Sequence, residues 1–571
     1  MKESYFDPAL LLTKPASFDP QLKASLEVAR NRLLVAVLFF IFCLGIIIFR
    51  LVELTLLTEA EDALLSRRQM EQGVVTGRAD IIDRNGEMLA TTITTSSVYA
   101  NTAKILDVRE AADKLAKVLT HVSHDELKKR LSSGKTFIWI ARHLTPSQQE
   151  QILRLGLPGV SFVRDQRRIY PHGRLAAHVL GFTDVDNRGI SGIEKGLEDR
   201  LSSSSQPLQL ALDVRVQHIL RDELLRGMSE FGARGAAGLV VDVRSGEVVA
   251  MVSLPDFNPN DPRHATDDER FNKTTLGVYE FGSVLKVANT AMALESGLIN
   301  LNSRFDATQP LKVGRFTITD FRGRNAWLNV PEVFVYSSNI GAAKMALMVG
   351  GEGQRKFLRK LGYLEAPQSE LPESGAPLIP SPWTESTIIT CSYGYGLSFA
   401  PFQLVKGIIA IVRGLQVPLS LVRQAQLPQN LPRVLSAETS RRMLQLMRFV
   451  VTHGTAGKAN VPGMFVAGKT GTANLRQGRG YQTDRVMTSF VGVLGASPTD
   501  PRYAIYTMLD DPKRLASTHG FNTAGWNAAP VGGRVIARMG PVLGIYPKQD
   551  YKDTIDPQYQ NASFVVEKNA H

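Results

Sequence analysis

Residues 236–253 read Ala-Ala-Gly-Leu-Val-Val-Asp-Val-Arg-Ser-Gly-Glu-Val-Val-Ala-Met-Val-Ser, and this stretch decides the fold of the larger part of the chain. Two nearly continuous apolar runs flank the turn at Ser245-Gly246, which predicts a β-hairpin. Strands without a polar face are usually covered on both sides. We therefore predict that the hairpin opens a larger domain of strands and helices, which extends to about residue 550.

The composition supports a folded protein of several domains. The chain has 571 residues, of which 44% are hydrophobic and 21% charged, and roughly 150 residues per domain suggest three or four structural units. The net charge of +12 is compatible with anionic lipid or another acidic ligand. The basic residues are scattered rather than clustered, so we do not expect nucleic-acid binding. Two cysteines are too few for a disulfide scaffold or a zinc site built from several cysteines.

A serine and a lysine three residues apart open a predicted helix in the large domain. The sequence Gly282-Ser283-Val-Leu-Lys286 begins a helix that stops near Gly297. The spacing places Ser283 and Lys286 on one helix face. A serine hydroxyl becomes a nucleophile when a base removes its proton, and a partly buried lysine can be that base. Ser-x-x-Lys alone is common by chance, and an N-capping serine beside a surface lysine explains it equally well.

Two further patterns follow in the same domain. Ser337-Ser338-Asn339 is predicted to lie in a loop before a helix, where a hydroxyl can relay a proton and an amide can hold a peptide group, although helix capping also explains it. Lys469-Thr470-Gly471-Thr472 is typical of a strand whose glycine permits close approach of a ligand backbone. An extended peptide could add to the edge of this strand, with Lys469, Thr470 and Thr472 holding a carboxylate. The three patterns in this order are far more specific than any one alone.

One segment near the N-terminus is apolar enough to cross a membrane. Every residue from Leu33 to Phe49 is apolar except Gly45, and about twenty residues span the roughly 30 Å hydrocarbon core. The run is preceded by 32 residues, too long an N-terminal region for a signal peptide, so we expect an uncleaved anchor. Basic residues are more frequent before the span than after it, which favours a cytoplasmic N-terminus. The basic residues before the span are Lys2, Lys14, Lys23, Arg30 and Arg32, and those after it are Arg50, Arg67 and Arg68.

The region between the anchor and the large domain shows shorter elements. Asn85-Gly86 between apolar flanks predicts a hairpin. Residues 103–155 predict short amphipathic helices, and a further helix is predicted from Val216 to Met228. The last twenty residues are polar and predict a loose tail.

The three patterns of the large domain are the signature of β-lactamases and penicillin-binding proteins, and the chain resembles a class B penicillin-binding protein along almost its whole length. Other stretches carry the same resemblance. In the first half these are Arg78–Gly86, Leu89-Ala90, Arg168–Pro171, His178–Phe182 and Gly189–Glu194, and in the second half Ser253–Asn260, Ser392–Leu397 and Pro401–Leu404. The last two resemble the division-specific, FtsI-type branch. The chain departs from the family at Phe281 and Ala79, where proline and glycine are often found, and neither residue bears a reacting group.

The resemblance implies an α+β fold with a single N-terminal transmembrane helix, an elongated mixed pedestal domain, and a penicillin-binding transpeptidase domain whose central antiparallel sheet is flanked by helices. The expected boundaries are given in chain order. They are 1–32 for a cytoplasmic tail, 33–54 for the anchor, 55–232 for the non-catalytic, dimerisation-type pedestal, 233–550 for the transpeptidase domain and 551–571 for the polar tail.

The resemblance also implies a reaction and a role for each site residue. Ser283 is the expected nucleophile on the D-Ala-D-Ala end of a peptidoglycan stem peptide, with Lys286 as its base and Ser337 in proton transfer. Asn339, Lys469, Thr470, Gly471 and Thr472 are the expected substrate-binding residues. The N–H groups of Ser283 and Thr472 are expected to hold the oxyanion. No metal or cofactor is implied, and β-lactams are expected to acylate Ser283.

The expected partners are stem peptides, the lipid-linked precursor, β-lactam antibiotics, a membrane glycosyltransferase of the FtsW type and other division proteins. The expected location is the bacterial inner membrane, with the catalytic domain in the periplasm. An elongation-specific class B transpeptidase is the main alternative, and a β-lactam sensor without turnover or a structural platform is a further one. A bifunctional class A enzyme is disfavoured because residues 55–230 are too few for a glycosyltransferase domain. A free β-lactamase would need neither an anchor nor a pedestal.

Overall fold

The computed structural model describes residues 20–52, 77–314, 316–321, 323–477, 480–551, 553, 557–559 and 562–564. The chain divides into two compact units, residues 1–75 and 76–571. The second unit holds both the predicted pedestal and the predicted transpeptidase domain.

The first unit contains one long helix, α1 (Pro20–Val52). Its segment Glu27–Val52 is long and apolar enough to cross a membrane. The large apolar side chains of this segment are exposed, for example Phe40 at 73%. Such a helix is stable in lipid rather than in water, because an unburied apolar surface is costly in water. The helix begins upstream of the predicted span 33–54, and residues 53 and 54 lie outside the described part of the chain.

The second unit begins with a mixed sheet in which β2 is the central strand. The strands are β1 (Ile81–Ile82), β2 (Met88–Ala100), β3 (Ile138–Leu144), β4 (Val160–Ile169) and β5 (Leu208–Gln209). Strand β2 pairs antiparallel with β1, β3 and β4, and β5 pairs parallel with β1. Gly86 takes a φ of 90° in the turn between β1 and β2, which confirms the predicted hairpin at Asn85-Gly86.

Seven α-helices lie between residues 108 and 231, and those within residues 108–154 pack beside this sheet. The seven are α2 (Val108–Val118), α3 (His124–Leu131), α4 (Pro146–Arg154), α5 (Ala177–Leu180), α6 (Gly192–Gly196), α7 (Glu198–Ser203) and the longer α8 (Val214–Phe231). The helices predicted within residues 103–155 are confirmed, but the same range also contains β3. Its buried and partly buried residues come in adjacent pairs, so it lacks the clean alternation by which a strand is recognised in a sequence.

A buried ion network ties three parts of the pedestal together. Glu194 is fully buried and accepts hydrogen bonds from Arg78 Nε at 2.5 Å and Arg168 Nε at 2.7 Å. Arg78 also donates to both carboxylate oxygens of Glu198 at 2.9 Å. Two buried cations thus share one buried anion, and without it Arg78 would keep only Glu198 as a partner carboxylate while Arg168 would lose its ion pair.

The large domain is built on a five-stranded antiparallel sheet. Its strands are β6 (Gly235–Asp242), β7 (Val248–Leu254), β12 (Phe465–Gln477), β13 (Gly480–Ser497) and β14 (Asp500–Asp510), in the order β12-β13-β14-β6-β7. Strands β6 and β7 form the hairpin predicted from residues 236–253, and both are buried almost throughout. Two small two-stranded antiparallel sheets lie outside this sheet. They are formed by β8 (Arg304–Asp306) with β11 (Trp327–Asn329), and by β9 (Leu311–Val313) with β10 (Phe316–Ile318).

Two groups of helices flank the sheet. The helices of this domain are α9 (Asp267–Arg270), α10 (Lys286–Glu295), α11 (Val330–Val335), α12 (Asn339–Lys360), α13 (Glu385–Ser392), α14 (Pro401–Arg413), α15 (Ala437–His453) and α16 (Ala528–Val542). Helices α8 and α16 pack against each other and on β7 and β13, whereas α10, α14 and α15 pack together, with α15 on β12 and α14 on β14. This arrangement confirms the predicted α+β fold.

The described residues after 550 correct the expectation of a loose tail. Tyr559 and Phe564 are buried, and both rings pack against Phe449 of α15. Asp553 accepts two hydrogen bonds from Arg448 at 2.8 Å. The polar composition of the segment gave no indication that these two aromatic residues are buried against α15.

Candidate active site

Ser283 and Lys286 lie at the start of one helical segment. A 3₁₀ turn, Gly282–Leu285, carries Ser283 and leads directly into α10, which begins at Lys286. Ser283 is partly exposed, whereas Lys286 is 1% exposed. The Nζ atom of Lys286 lies 3.1 Å from Ser283 Oγ. The structure therefore brings together the serine and the lysine that the spacing of three predicted.

Ser337 occupies a strained position next to this pair. Its φ is +61°, which is uncommon for a residue with a side chain, and such strain tends to concentrate at functional sites. The next residue, Ser338, caps α12 by accepting a hydrogen bond from Gly341 N at 3.0 Å. Asp320 holds the same turn, because it accepts hydrogen bonds from Ser338 Oγ and from the backbone N–H of Asn339, both at 2.6 Å.

The amine of Lys286 is the centre of the site. It lies 2.6 Å from Ser337 O, 2.7 Å from Asn339 Oδ1 and 3.2 Å from Ser337 Oγ, besides its contact with Ser283. A neutral amine has two N–H donors and one lone pair. The carbonyl of Ser337 and the amide oxygen of Asn339 can take the two N–H groups, which leaves the lone pair for the proton of Ser283.

Lys469 approaches Ser337 from the other side of the site. It lies on β12, is fully buried, and places Nζ 3.0 Å from Ser337 Oγ. Burial lowers the pKa of Lys469 to about 7. Burial together with the positive charge of Lys469 lowers the pKa of Lys286 well below its usual value, although Asp320 opposes the shift. Two neighbouring lysines in this environment favour one neutral amine and one ammonium.

The remaining residues of the Lys-Thr-Gly-Thr run line the edge of β12. Among the described residues, β13 is the only strand that pairs with β12, so the other edge of β12 has no strand partner there. Thr470 Oγ1 lies 2.6 Å from Thr455 Oγ1, and Thr472 Oγ1 accepts a hydrogen bond from Ala524 N at 3.1 Å. Both hydroxyls are thereby oriented beside Lys469.

Glycines bring the nucleophile segment against β12. A Cβ atom on Gly471 would lie 2.3 Å from the carbonyl oxygen of Phe281, and one on Gly282 would lie 2.4 Å from that of Thr472. Gly282 also has a φ of +51°, which a side chain would disfavour. The sequence pattern predicted close approach of a ligand at Gly471, and the structure shows that the close neighbour is the nucleophile segment itself.

The structure thus brings together all the site residues named from the sequence and adds others. Asp320 and Thr455 were not predicted, because an isolated aspartate or threonine has no pattern around it that marks a function. Tyr395 was quoted only for the branch of the family, yet its hydroxyl accepts a hydrogen bond from Asn474 N on β12.

Nearly the whole second unit matches two known domain families. Residues 74–221 match the penicillin-binding protein dimerisation domain, and residues 236–531 match the penicillin-binding protein transpeptidase domain. Among solved structures, the chain resembles penicillin-binding protein 3 of Mycobacterium tuberculosis in complex with aztreonam. That likeness has a TM-score of 0.65 and 25% identity, and it covers 84% of this chain and 99% of the other.

Relatives of known name place the chain more narrowly within this family. The chain is 39% identical to a probable peptidoglycan D,D-transpeptidase FtsI of Caulobacter vibrioides, over 84% of this chain and 83% of the relative. It is 30% identical to the peptidoglycan D,D-transpeptidase FtsI of Escherichia coli K12, over 83% and 85% of the two chains. The chain belongs to the penicillin-binding proteins with a dimerisation domain and a transpeptidase domain. Within that family it is a class B protein of the FtsI type, as its sequence predicted.

Proposed function

We propose that the protein is a serine D,D-transpeptidase that cross-links peptidoglycan stem peptides during cell division. The observation that carries the proposal is the unbroken set of contacts from Ser283 Oγ through Lys286 Nζ and Ser337 Oγ to Lys469 Nζ, with spacings of 3.1, 3.2 and 3.0 Å. The names of its FtsI relatives describe the same activity.

The first half of the reaction forms an acyl-enzyme. Ser283 Oγ attacks the carbonyl between the two terminal D-alanines, while neutral Lys286 takes the hydroxyl proton. The oxyanion accepts hydrogen bonds from the backbone N–H groups of Ser283 and Thr472. The C–N bond then breaks, and Ser337 passes a proton to the departing D-alanine from the neighbouring lysines.

Substrate recognition falls to the residues around this proton path. Protonated Lys469 and the hydroxyls of Thr470 and Thr472 bind the terminal carboxylate, because an ammonium and two hydroxyls supply the donors that a carboxylate accepts. The partly exposed amide of Asn339 holds the peptide group of the stem. Gly471 lets β12 approach the nucleophile segment closely enough for both to contact one substrate.

The second half transfers the acyl group to an amine. An amine of a neighbouring stem attacks the ester carbonyl, and Lys286 accepts the proton that the amine loses. The ester bond breaks, the new amide forms the cross-link, and Ser283 regains its hydroxyl proton. A β-lactam stops at the ester stage, because its opened ring stays attached and no leaving group departs from the site.

We further propose the placement of the chain and its partners. The apolar part of helix α1 is the one membrane span among the described residues, with the N-terminus in the cytoplasm because more basic residues precede the span than follow it. Residues 1–32 form the cytoplasmic part, 33–54 the anchor, 55–232 the pedestal, 233–550 the catalytic domain and 551–571 the C-terminal segment. The lipid-linked precursor, a membrane glycosyltransferase of the FtsW type and other division proteins are the proposed partners.

The activity is tested by acyl transfer with the purified protein. A peptide that ends in D-Ala-D-Ala is supplied together with an amine acceptor, and both D-alanine release and the cross-linked product are measured. We expect both products with the wild-type protein and neither with Ser283→Ala. The control is Ser296→Ala, since Ser296 ends the same helix without touching the site. Release of D-alanine by the Ser283 variant would refute the proposal.

A further inference from the structure

The open edge of β12 is the place where an extended donor peptide would bind. The backbone N–H and C=O groups of β12 alternate between this edge and the edge paired with β13. In an antiparallel strand, the N–H and C=O groups of every second residue point to the same edge. The N–H of Asn474 points away from β13, because it donates to the hydroxyl of Tyr395 at 3.2 Å. The N–H groups of Thr472 and Thr470 therefore share the open edge with that of Asn474.

This alternation fixes which donor residues can pair with the edge. The residue that carries the scissile carbonyl lies opposite Thr472, whose N–H binds that carbonyl in the proposed mechanism. The next hydrogen-bonded position along an antiparallel peptide is two residues nearer its N-terminus. That residue lies opposite Asn474, and its carbonyl requires the N–H that Tyr395 already holds.

The hydroxyl of Tyr395 is held in place by its surroundings. Its half-buried ring packs edge-to-face on Tyr481, with centroids 5.5 Å apart. Glu280 Oε1 accepts hydrogen bonds from Gly396 N at 2.8 Å and from Tyr481 OH at 3.0 Å. Glu280 lies three residues before Ser283, so the nucleophile segment, the loop of Tyr395 and strand β13 are joined at this point.

We propose that Tyr395 is a specificity-determining residue that ends the peptide-binding edge at Asn474. The enzyme then recognises the donor main chain through the acyl-donor residue and its immediate neighbour, and residues further upstream gain no main-chain pairing. This inference rests on the proposed transpeptidase function. It predicts that main-chain pairing stops at a fixed donor length, and that removal of the Tyr395 hydroxyl allows a longer donor to pair.

The test compares two thioester donors that end in a D-alanyl thioester. The short donor has one residue before the scissile bond and the long donor has three. Both donors are acetylated at the N-terminus. Thiol release gives kcat/KM for the wild-type protein, Tyr395→Phe and the control Tyr393→Phe, whose ring lies beside Tyr395. We expect similar kcat/KM for both donors with the wild type and the control. With Tyr395→Phe we expect kcat/KM for the long donor to rise about three- to tenfold, the effect of one hydrogen bond, with no change for the short donor.

Two results would overturn the role of Tyr395. An equal fall for both donors would mean that the hydroxyl serves every substrate, and unchanged values for both would mean that it does not limit pairing. Labelling of the same proteins with a fluorescent penicillin separates this inference from the proposed function. If all three proteins are acylated at Ser283 and the ratio between the donors stays unchanged, only the role of Tyr395 fails. If the wild-type protein is not acylated, both fail.

Discussion

At the scale of single residues, the two buried lysines divide the chemistry between them. In the proposed reaction, Lys286 is neutral to accept the proton of Ser283, whereas Lys469 is protonated to bind the substrate carboxylate. Burial, together with the positive charge of Lys469, lowers the pKa of Lys286, so the charge of one favours the neutral form of the other. Burial thus perturbs both lysines, and the charge of Lys469 adds to the effect at Lys286.

This division predicts how acylation depends on pH. As the pH falls, Lys286 becomes protonated and acylation slows. As the pH rises through about 7, the free enzyme loses the proton of Lys469 and substrate binding weakens. We expect a bell-shaped profile of kcat/KM with a D-Ala-D-Ala donor, with its basic limb near pH 7.

Lys469→Arg is the companion variant, because a guanidinium stays charged over the whole range. The basic limb should be absent in any activity that this variant retains. A wild-type profile that stays flat from pH 6 to about pH 9 would contradict the assignment, since Lys469 has a pKa of about 7.

The sequence predicted the reacting groups of the site but not the groups that hold them. The reacting groups come from local patterns, namely Ser283 with Lys286 and the run Lys469–Thr472. Residues close in the sequence stay close in the folded structure. Asp320 reaches the turn of Ser337 from a different loop, and Thr455 reaches Thr470 from the end of α15. Contacts of this kind depend on tertiary packing, so no short pattern could indicate them.

At the scale of elements, the close contact between the nucleophile segment and β12 decides whether the site is assembled. Gly282→Ala would place a methyl group 2.4 Å from Thr472 O on a backbone with positive φ. The segment must then move away from β12. We expect acylation to fall about a hundredfold, the effect of a displacement of roughly 1 Å in an active site.

The matched control is Gly457→Ala, where the nearest atom to the new Cβ would be 3.9 Å away. Acylation rates with a fluorescent penicillin measure both variants. A Gly282→Ala protein that reacts as fast as the wild type would show that the contact between Gly282 and Thr472 is not required.

The pedestal network makes a separate prediction about stability. Glu194→Gln would leave the buried guanidinium groups of Arg78 and Arg168 without their shared anion. We expect a loss of about 3–5 kcal/mol in the free energy of unfolding, measured by denaturant titration of residues 55–571. Glu150→Gln breaks an exposed pair with Arg154 and should cost less than about 1 kcal/mol. Equal effects of the two substitutions would contradict the network's role.

The elements also show where sequence patterns are weak. The two glycine-turn hairpins were predicted correctly, because their signals are short and local. Strand β3 was missed because its buried and partly buried residues do not alternate, and the C-terminal segment was judged by its polar composition although Tyr559 and Phe564 are buried. In both cases packing by distant residues, rather than local periodicity, fixes the structure.

At the scale of the whole molecule, the chain joins one apolar helix to a pedestal and a catalytic domain. A division-specific transpeptidase is required for the septum and not for growth of the side wall. Depletion in the host should therefore give long filaments without septa, scored by microscopy. Wild-type protein should restore division and Ser283→Ala should not. Rounded cells on depletion would instead indicate the elongation-specific alternative.

The most direct test of the central claim is intact-protein mass spectrometry of residues 55–571 after reaction with a penicillin. We predict one stable adduct with the mass of the intact drug, mapped to Ser283 by peptide analysis and absent from Ser283→Ala. Lys286→Met should form the same adduct about 10²–10⁴-fold more slowly, because the general base is lost. An adduct on another residue, or one that hydrolyses within seconds, would contradict the assignment of Ser283 as the nucleophile of a penicillin-binding transpeptidase.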